Sequence, residues 1–380
     1  MDRYISLMWL EMVLGTGGRR LWQIMEKADD PAKLCERILS GDTELLTAGE
    51  KEKAERISTD EAERIISLAR EQGQRVAAIG DEDYPKRWYG LDDAPALAFC
   101  RGDIKALNES TVIHTAGTRE PSKYTLSLID VLCADLALRG FAISCGLAEG
   151  SDTRTAEAVL GRGGKVIAVY PTSLENEYPK NAGDIKERVA QSGLLISEYP
   201  PGYKGRMNFQ RRNRLAVALA SAVVITEAAE DSKGLDNAER ALDTGLPVLV
   251  VPPHLLYSGR YSGQRNLLRK GCIPIFDGSD AVRVLAERHE ISPEGYGLKV
   301  GTENAQTISK QEKAPKKPAR ELNSTESTIY DLLKENGAMS LDEITARSGL
   351  SVMEVLTCMT GLELAGIAVS LPGKRYELDS

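Results

Sequence analysis

Between residues 76 and 290 short apolar runs return again and again, most of them separated from the next by a stretch with helical spacing. The runs are Val76-Ile79, Ala96-Cys100, Thr111-Thr115, Phe141-Cys145, Val166-Tyr170, Leu194-Ser197, Ala222-Thr226 and Val248-Val251. Between them lie patterns such as Leu128, Ile129, Leu132 and Leu136, which place apolar groups on one side of a helix. Strands that alternate with helices build βαβ units and a mainly parallel sheet. The fold class expected is α/β, a doubly wound Rossmann-like core rather than a closed barrel.

The flanks read differently. Residues 1–75 form short helices, broken at Gly15-Thr16-Gly17-Gly18, with solvated charge runs such as Glu50-Lys51-Glu52-Lys53. The glycine-rich break reads as a helix–helix connection. Residues 291–323 lose all periodicity. Ile308 to Arg320 holds Lys310, Lys313, Lys316, Lys317 and Arg320, two prolines and the single acid Glu312, the composition of a flexible basic linker. Residues 324–380 show helical stretches at Thr328-Asn336, Leu341-Ser348 and Val352-Ala365. Two short strands follow, at Ile367-Val369 and Arg375-Leu378. That is the order of a winged helix.

Charge and cysteine usage narrow the functional classes. The 380 residues carry 48 basic and 56 acidic side chains, net −8, so a uniformly basic coat for nucleic acid is excluded while a local basic patch is not. No stretch has the length of a spanning helix, and the N-terminus lacks the pattern of a signal peptide. A cytoplasmic protein without a membrane contact is expected. Cys35, Cys100, Cys133, Cys145, Cys272 and Cys358 have irregular spacing and apolar neighbours, which reads as free thiols rather than a disulfide frame or a metal site.

In an open α/β sheet ligands bind beyond the carboxyl ends of the strands. Those positions carry Gly117-Thr118-Arg119, the loop Gly146 to Asp152 with Gly150 and Ser151, and Ser232-Lys233-Gly234. Glycines let backbone amides approach an anion, and Arg119 adds a bidentate donor. Glu198 and Glu227 also close strands at this edge, where they serve as acids, ribose acceptors or helix caps. His114 falls inside a central strand and reads as a core residue. His254, after two prolines, is the histidine placed for chemistry.

One further run stands out. Lys204, Arg206, Arg211, Arg212 and Arg214 fall within eleven residues around Phe209, and no acid occurs between Tyr199 and Thr226. Cations interleaved with an aromatic suit single-stranded nucleic acid, where charge follows the backbone and a ring meets a base.

Taken in order, Gly117-Thr118-Arg119, Gly146-Leu147-Ala148-Glu149-Gly150-Ser151-Asp152, Ser197-Glu198-Tyr199-Pro200-Pro201-Gly202 and Asn208-Phe209-Gln210-Arg211-Arg212-Asn213-Arg214 resemble the motifs of the DNA-processing protein A (DprA, or Smf) family. The resemblance implies an N-terminal sterile-alpha-motif-like helical domain, an extended Rossmann-like core and a C-terminal winged helix. It implies a non-enzymatic, cofactor-free homodimer that binds single-stranded DNA, protects it, and loads the RecA recombinase in natural transformation. DNA contacts would come from Arg119, Lys180, Lys204, Phe209, Arg211, Arg212, Asn213 and Arg214. The phosphate pocket would use Gly117, Thr118, Gly146, Gly150, Ser151, Asp152, Lys233 and Arg265.

The chain departs from the family pattern at Ser151, Ala156, Lys233 with Asn237, Pro253 and Arg265. Lys233 and Arg265 add positive charge at the pocket edge. Two other readings stand beside the DNA mediator: a nucleotide-binding sensor or scaffold, and a nucleoside-monophosphate phosphoribohydrolase using Glu227. The terminal domain, with nine acids and four bases in residues 324–380, reads as a protein-contact module. Only Lys374 and Arg375 in its wing suit DNA.

Overall fold

The computed structural model describes residues 1–15, 17, 19–27, 30–179, 183–297, 322–365, 367–371 and 375–378. It forms two compact units, residues 1–300 and 301–380. The expected linker lies largely outside the described residues, as do Lys180 and Lys374.

The first unit opens with five helices, α1 (Arg3–Leu14), α2 (Arg19–Met25), α3 (Pro31–Leu39), α4 (Ala48–Arg56) and α5 (Thr59–Glu71). Then come β1 (Arg75–Ala78), β2 (Leu97–Gly102), α6 (Lys105–Glu109), β3 (Val112–Ala116), α7 (Lys123–Leu138), β4 (Ala142–Cys145), α8 (Ser151–Leu160) and β5 (Val166–Val169). The unit continues through α9 (Gly183–Ser192), β6 (Leu194–Ser197), α10 (Phe209–Leu219), β7 (Ala222–Ile225), α11 (Leu235–Asp243), β8 (Val248–Val250), α12 (Ser262–Arg269), β9 (Ile273–Pro274) and α13 (Gly278–Glu287).

The strands make one nine-stranded sheet in the order β1-β2-β6-β5-β4-β3-β7-β8-β9. From β6 to β9 every pairing is parallel, and β1 and β2 extend that sheet antiparallel. Each of the eight apolar runs becomes a strand. The ninth, β9, is two residues long and ends in proline, too little for a periodic signal.

Helices cover both faces, which is why the inner strands read as unbroken apolar runs. On one face Ile129, Leu132, Leu136, Val159, Ala281 and Leu285 pack over Ile113, Ile143, Val166, Val224 and Leu249. On the other, Leu215, Ala216 and Leu219 of α10 meet Val112, Ile167 and Ile196, while Ala238 and Ala241 of α11 meet Val223 and Val250.

The expected boundary at 75/76 separates helices from strands, yet it does not separate cores. Leu7, Trp9, Leu10, Leu21 and Ile66 share one buried cluster with Ala78, Ala96, Leu97 and Phe99 of the sheet margin. Five helices this short bury too little alone and finish their core on β1 and β2. Polar staples fix the junction. Arg3 and Tyr4 both reach Asp81, and the Glu11 carboxylate accepts from the Ala96 amide at 2.8 Å.

The second unit contains α14 (Ser324–Asn336), β10 (Met339–Ser340), α15 (Leu341–Ser348), α16 (Val352–Leu364), β11 (Ala368–Leu371) and β12 (Arg375–Leu378). Its three strands pair in the order β10-β12-β11. Gly349, in the left-handed region at φ 70°, closes α15, and Ser351 opens α16. This is a winged helix.

Glu11 supplies a pH test of the junction. Burial pushes its carboxyl up to about 8, and its second oxygen has no partner among the described residues. The folded state thus holds a proton that the unfolded chain releases near the ordinary carboxylate pKa. Stability should fall as pH rises from about 5 to 8 and level off above that. Glu11→Gln, which keeps the acceptor for Ala96, should flatten that decline in thermal melts followed by tryptophan fluorescence.

Candidate nucleic-acid interface

Strand β3 is where the winding changes direction. β4, β5 and β6 continue to one side of it, and β7, β8 and β9 lie on the other. At such a switch point the loops leaving neighbouring strands diverge and leave a crevice. Here it is a cavity of about 300 Å³ lined by His114, Gly117, Thr118, Arg119, Gly146, Ala148, Asp152, Phe209, Arg212, Asn213, Lys233 and Asn237, among others.

The charge of the lining is one-sided. Arg119, Arg212 and Lys233 face a single carboxylate, Asp152. None of the three cations makes a salt bridge among the described residues, and Arg119 and Lys233 are exposed. Arg212 is buried and donates to the Asn213 side chain and the Val169 carbonyl. Its approach depends on Gly146, where a Cβ would stand 1.6 Å from an Arg212 nitrogen. Burial, reinforced by Arg212, pulls the His114 pKa down to about 3. His114 is therefore a neutral part of the lining at physiological pH, bonded to Ser144 at 3.2 Å. The core reading of His114 misses that it also reaches the cavity.

The helix α10 sorts the basic run. Phe209, Arg212 and Asn213, at i, i+3 and i+4, share the face that lines the cavity. Over the Phe209 ring lie the guanidiniums of Arg119 at 5.2 Å and Arg212 at 5.9 Å, so the ring holds two cations together. Arg211 and Arg214, also at i and i+3, turn to another side, where both bind the buried Glu198, at 3.1 and 2.7 Å. Arg214 also binds Asp93 at 2.7 Å, and Arg211 donates to the Gly17 carbonyl at 2.8 Å.

That arrangement corrects the expected continuous basic track. Arg214 is buried with two carboxylates, and Arg211 shares Glu198 with it, because a guanidinium inside a protein must be paired. Gly17, within the glycine-rich break, has a role here as well. A Cβ at Gly17 would stand 2.5 Å from both Arg211 and Glu198, so glycine lets the helical layer close over this cluster.

The Gly146–Asp152 loop is also corrected as an open anion cradle. Its Gly146 and Ala148 amides already donate to the Asp152 carboxylate, at 3.1 and 3.3 Å. Gly150 and Ser151 are not among the cavity-lining residues. Ser151 instead ties its amide to the Thr118 carbonyl at 3.1 Å and so braces the Arg119 loop. Arg265 is also absent from the lining and donates to the Ser258 carbonyl. Lys204 is exposed on the loop before α10. Glu227 lies outside the lining too, its carboxylate receiving Ser122, Thr125 and Arg260. The i, i+3, i+4 spacing within residues 209–214 is the sequence signal that separates these faces.

The sequence profile of the DNA recombination-mediator protein A family matches residues 75–286, and that of the DprA winged helix domain matches residues 313–374. The DNA processing protein DprA of Bacillus subtilis is 30% identical over 60% of this chain and 76% of its own length. The crystal structure of DNA processing protein A from Streptococcus pneumoniae superposes with a TM-score of 0.65 at 28% identity, covering 76% of this chain and 98% of that one. The Helicobacter pylori counterpart, whose structure concerns its single-stranded DNA binding mode, gives a TM-score of 0.50 at 30% identity over 56% of this chain and 97% of its own.

Glu198 is the testable centre of this geometry. Glu198→Gln keeps the shape and removes the charge that both arginines share. Taking the shared carboxylate from buried Arg214, which keeps Asp93, and from half-buried Arg211 should cost about 3 kcal/mol. The melting temperature should drop by at least about 5 °C in a thermal-shift measurement.

Proposed function

Because the chain belongs to the DNA recombination-mediator protein A family, we propose that it binds single-stranded DNA without regard to sequence and delivers it to a RecA-type recombinase. The observation that carries this reading is the switch-point cavity, with three cations against one carboxylate and two of them ordered by Phe209. Phosphate oxygens of a strand would meet Arg119, Arg212 and Lys233, with Asn213 as a polar neighbour. Lys204, exposed before α10, would extend the contact along the backbone. A single strand bends into a concave site of this size more readily than a duplex, whose stiffness resists such curvature.

We read the protein as a mediator without catalysis. A phosphoribohydrolase would need a free carboxylate facing the ligand; Glu227 is occupied by Ser122, Thr125 and Arg260 outside the cavity, and Asp152, which lines it, is held by the Gly146 and Ala148 amides of its own loop. The volume also suits one nucleotide, which keeps the sensor reading testable by competition. Action as a homodimer would double the sites presented to one strand and raise affinity through effective concentration. The winged-helix unit suits a protein partner. Its α16 has no Lys or Arg and exposes Val352, Met353 and Leu356. In its wing Arg375 is engaged with the Ala338 carbonyl.

Binding to labelled oligonucleotides over a salt series tests the reading. Single strands should bind more tightly than duplexes of the same length, and the affinity should fall steeply with salt. Arg119→Ala and Lys233→Ala should each weaken binding alike for unrelated sequences and shrink the log–log salt slope by about 0.7. Equal affinity for duplex and single strand, or tight mononucleotide binding without strand binding, would refute it. Faster assembly of a RecA-type recombinase on coated single strands is the expected downstream result.

A further inference from the structure

Beside the cavity, at the same carboxyl edge of the sheet, lies an exposed aromatic surface that phosphate binding does not use. Tyr124, in the first turn of α7, stacks on His254 with ring centres 4.2 Å apart and planes 18° from parallel. His254 follows Pro252 and Pro253 beyond β8, and Leu255, Leu256 and Tyr257 continue the loop. Tyr124 is 40% exposed, Leu255 55%, Leu256 61% and Tyr257 98%. So much apolar and aromatic surface left to water on one segment marks a contact site.

This surface adjoins the cavity rim. Arg260, on the same loop, donates to the Glu120 carbonyl at 2.7 Å and to Glu227 at 2.8 Å. Glu120 follows Arg119 directly. Arg119 and Tyr124 are five residues apart, at most about 17 Å even for an extended chain. Lys123, Arg260 and Arg265 stand near Glu120 and Glu227, so the rings sit among charges of both signs.

We propose that Tyr124, His254 and Tyr257 form a stacking platform for the bases of a single strand leaving the phosphate cavity. It rests on the single-strand reading above and adds a second contact of a different physical kind. The cavity holds charge and releases counterions, whereas the platform holds ring faces and releases none. The Tyr124–His254 pair is already stacked, so a base adds to a preformed pile rather than ordering a free side chain. Tyr257 presents both ring faces to solvent.

The test uses the full chain and oligothymidylates of about 2 and about 20 nucleotides, the shorter held within the cavity and the longer reaching the platform. Tyr257→Ala should weaken binding of the longer oligomer about five-fold or more, leave the shorter unchanged, and leave the salt slope unchanged. Tyr257→Phe, which keeps the ring, should restore parental affinity. At 98% exposure the side chain supports no core, so the fold is retained in both variants. Arg119→Ala should weaken both lengths and lower the slope. Parental affinity of Tyr257→Ala on the longer oligomer would overturn the platform while leaving the cavity reading intact. An equal loss on both lengths, or a reduced salt slope, would also overturn it. Failure of the parent protein to bind either oligomer would overturn the platform and the single-strand reading together.

Discussion

The shared ion pairing at Glu198 decides how the rest of the site can be built. One carboxylate, almost fully buried, receives Arg211 and Arg214 from successive turns of α10. Asp93 and the Gly17 carbonyl complete the set, so three parts of the chain meet on one helix. Removing charges from water is costly unless each is matched, and this cluster matches them where the helical layer closes on the sheet. With Arg211 and Arg214 engaged there, the opposite face of α10 delivers Phe209, Arg212 and Asn213 to the cavity.

The same logic separates the two carboxylates at the strand ends from the one in the lining. Glu198 and Glu227 are saturated by arginines and hydroxyls, so neither adds negative charge to the cavity. Asp152 remains, tied to two amides of its own loop, while burial drives its carboxyl above its ordinary value against the pull of Arg212. His114 is held neutral by burial and by Arg212. An acidic protein thus carries a locally cationic crevice without a basic surface overall.

The winged-helix unit uses its acids for another purpose. Asn323 with Glu326, Ser340 with Glu343 and Ser351 with Glu354 form reciprocal capping boxes at the starts of α14, α15 and α16. Each satisfies amide donors that a helix start leaves open and places negative charge at the positive end of its dipole. Part of the acidity that argues against DNA contact is therefore the means by which three short helices begin. What α16 then offers to solvent is apolar.

Much of this protein was legible in the order of its residues. Eight strands, most of the helices between them and all three helices of the winged unit follow from apolar periodicity, because that signal is local. The glycine, hydroxyl and arginine residues at the strand ends marked the correct sheet edge, since a parallel sheet sends its ligand loops to one side. The missed β9 is too short to have a period. The pairings were not legible. That Arg214 meets Asp93, Arg211 meets Gly17 and His114 reaches the cavity depends on residues 30 to 194 positions apart, or on the direction a side chain takes from a buried strand. Composition placed five cations in one run. The tertiary structure alone decided which of them are spent inside the protein and which face a ligand, because a charge is used up only by a partner that folding brings to it.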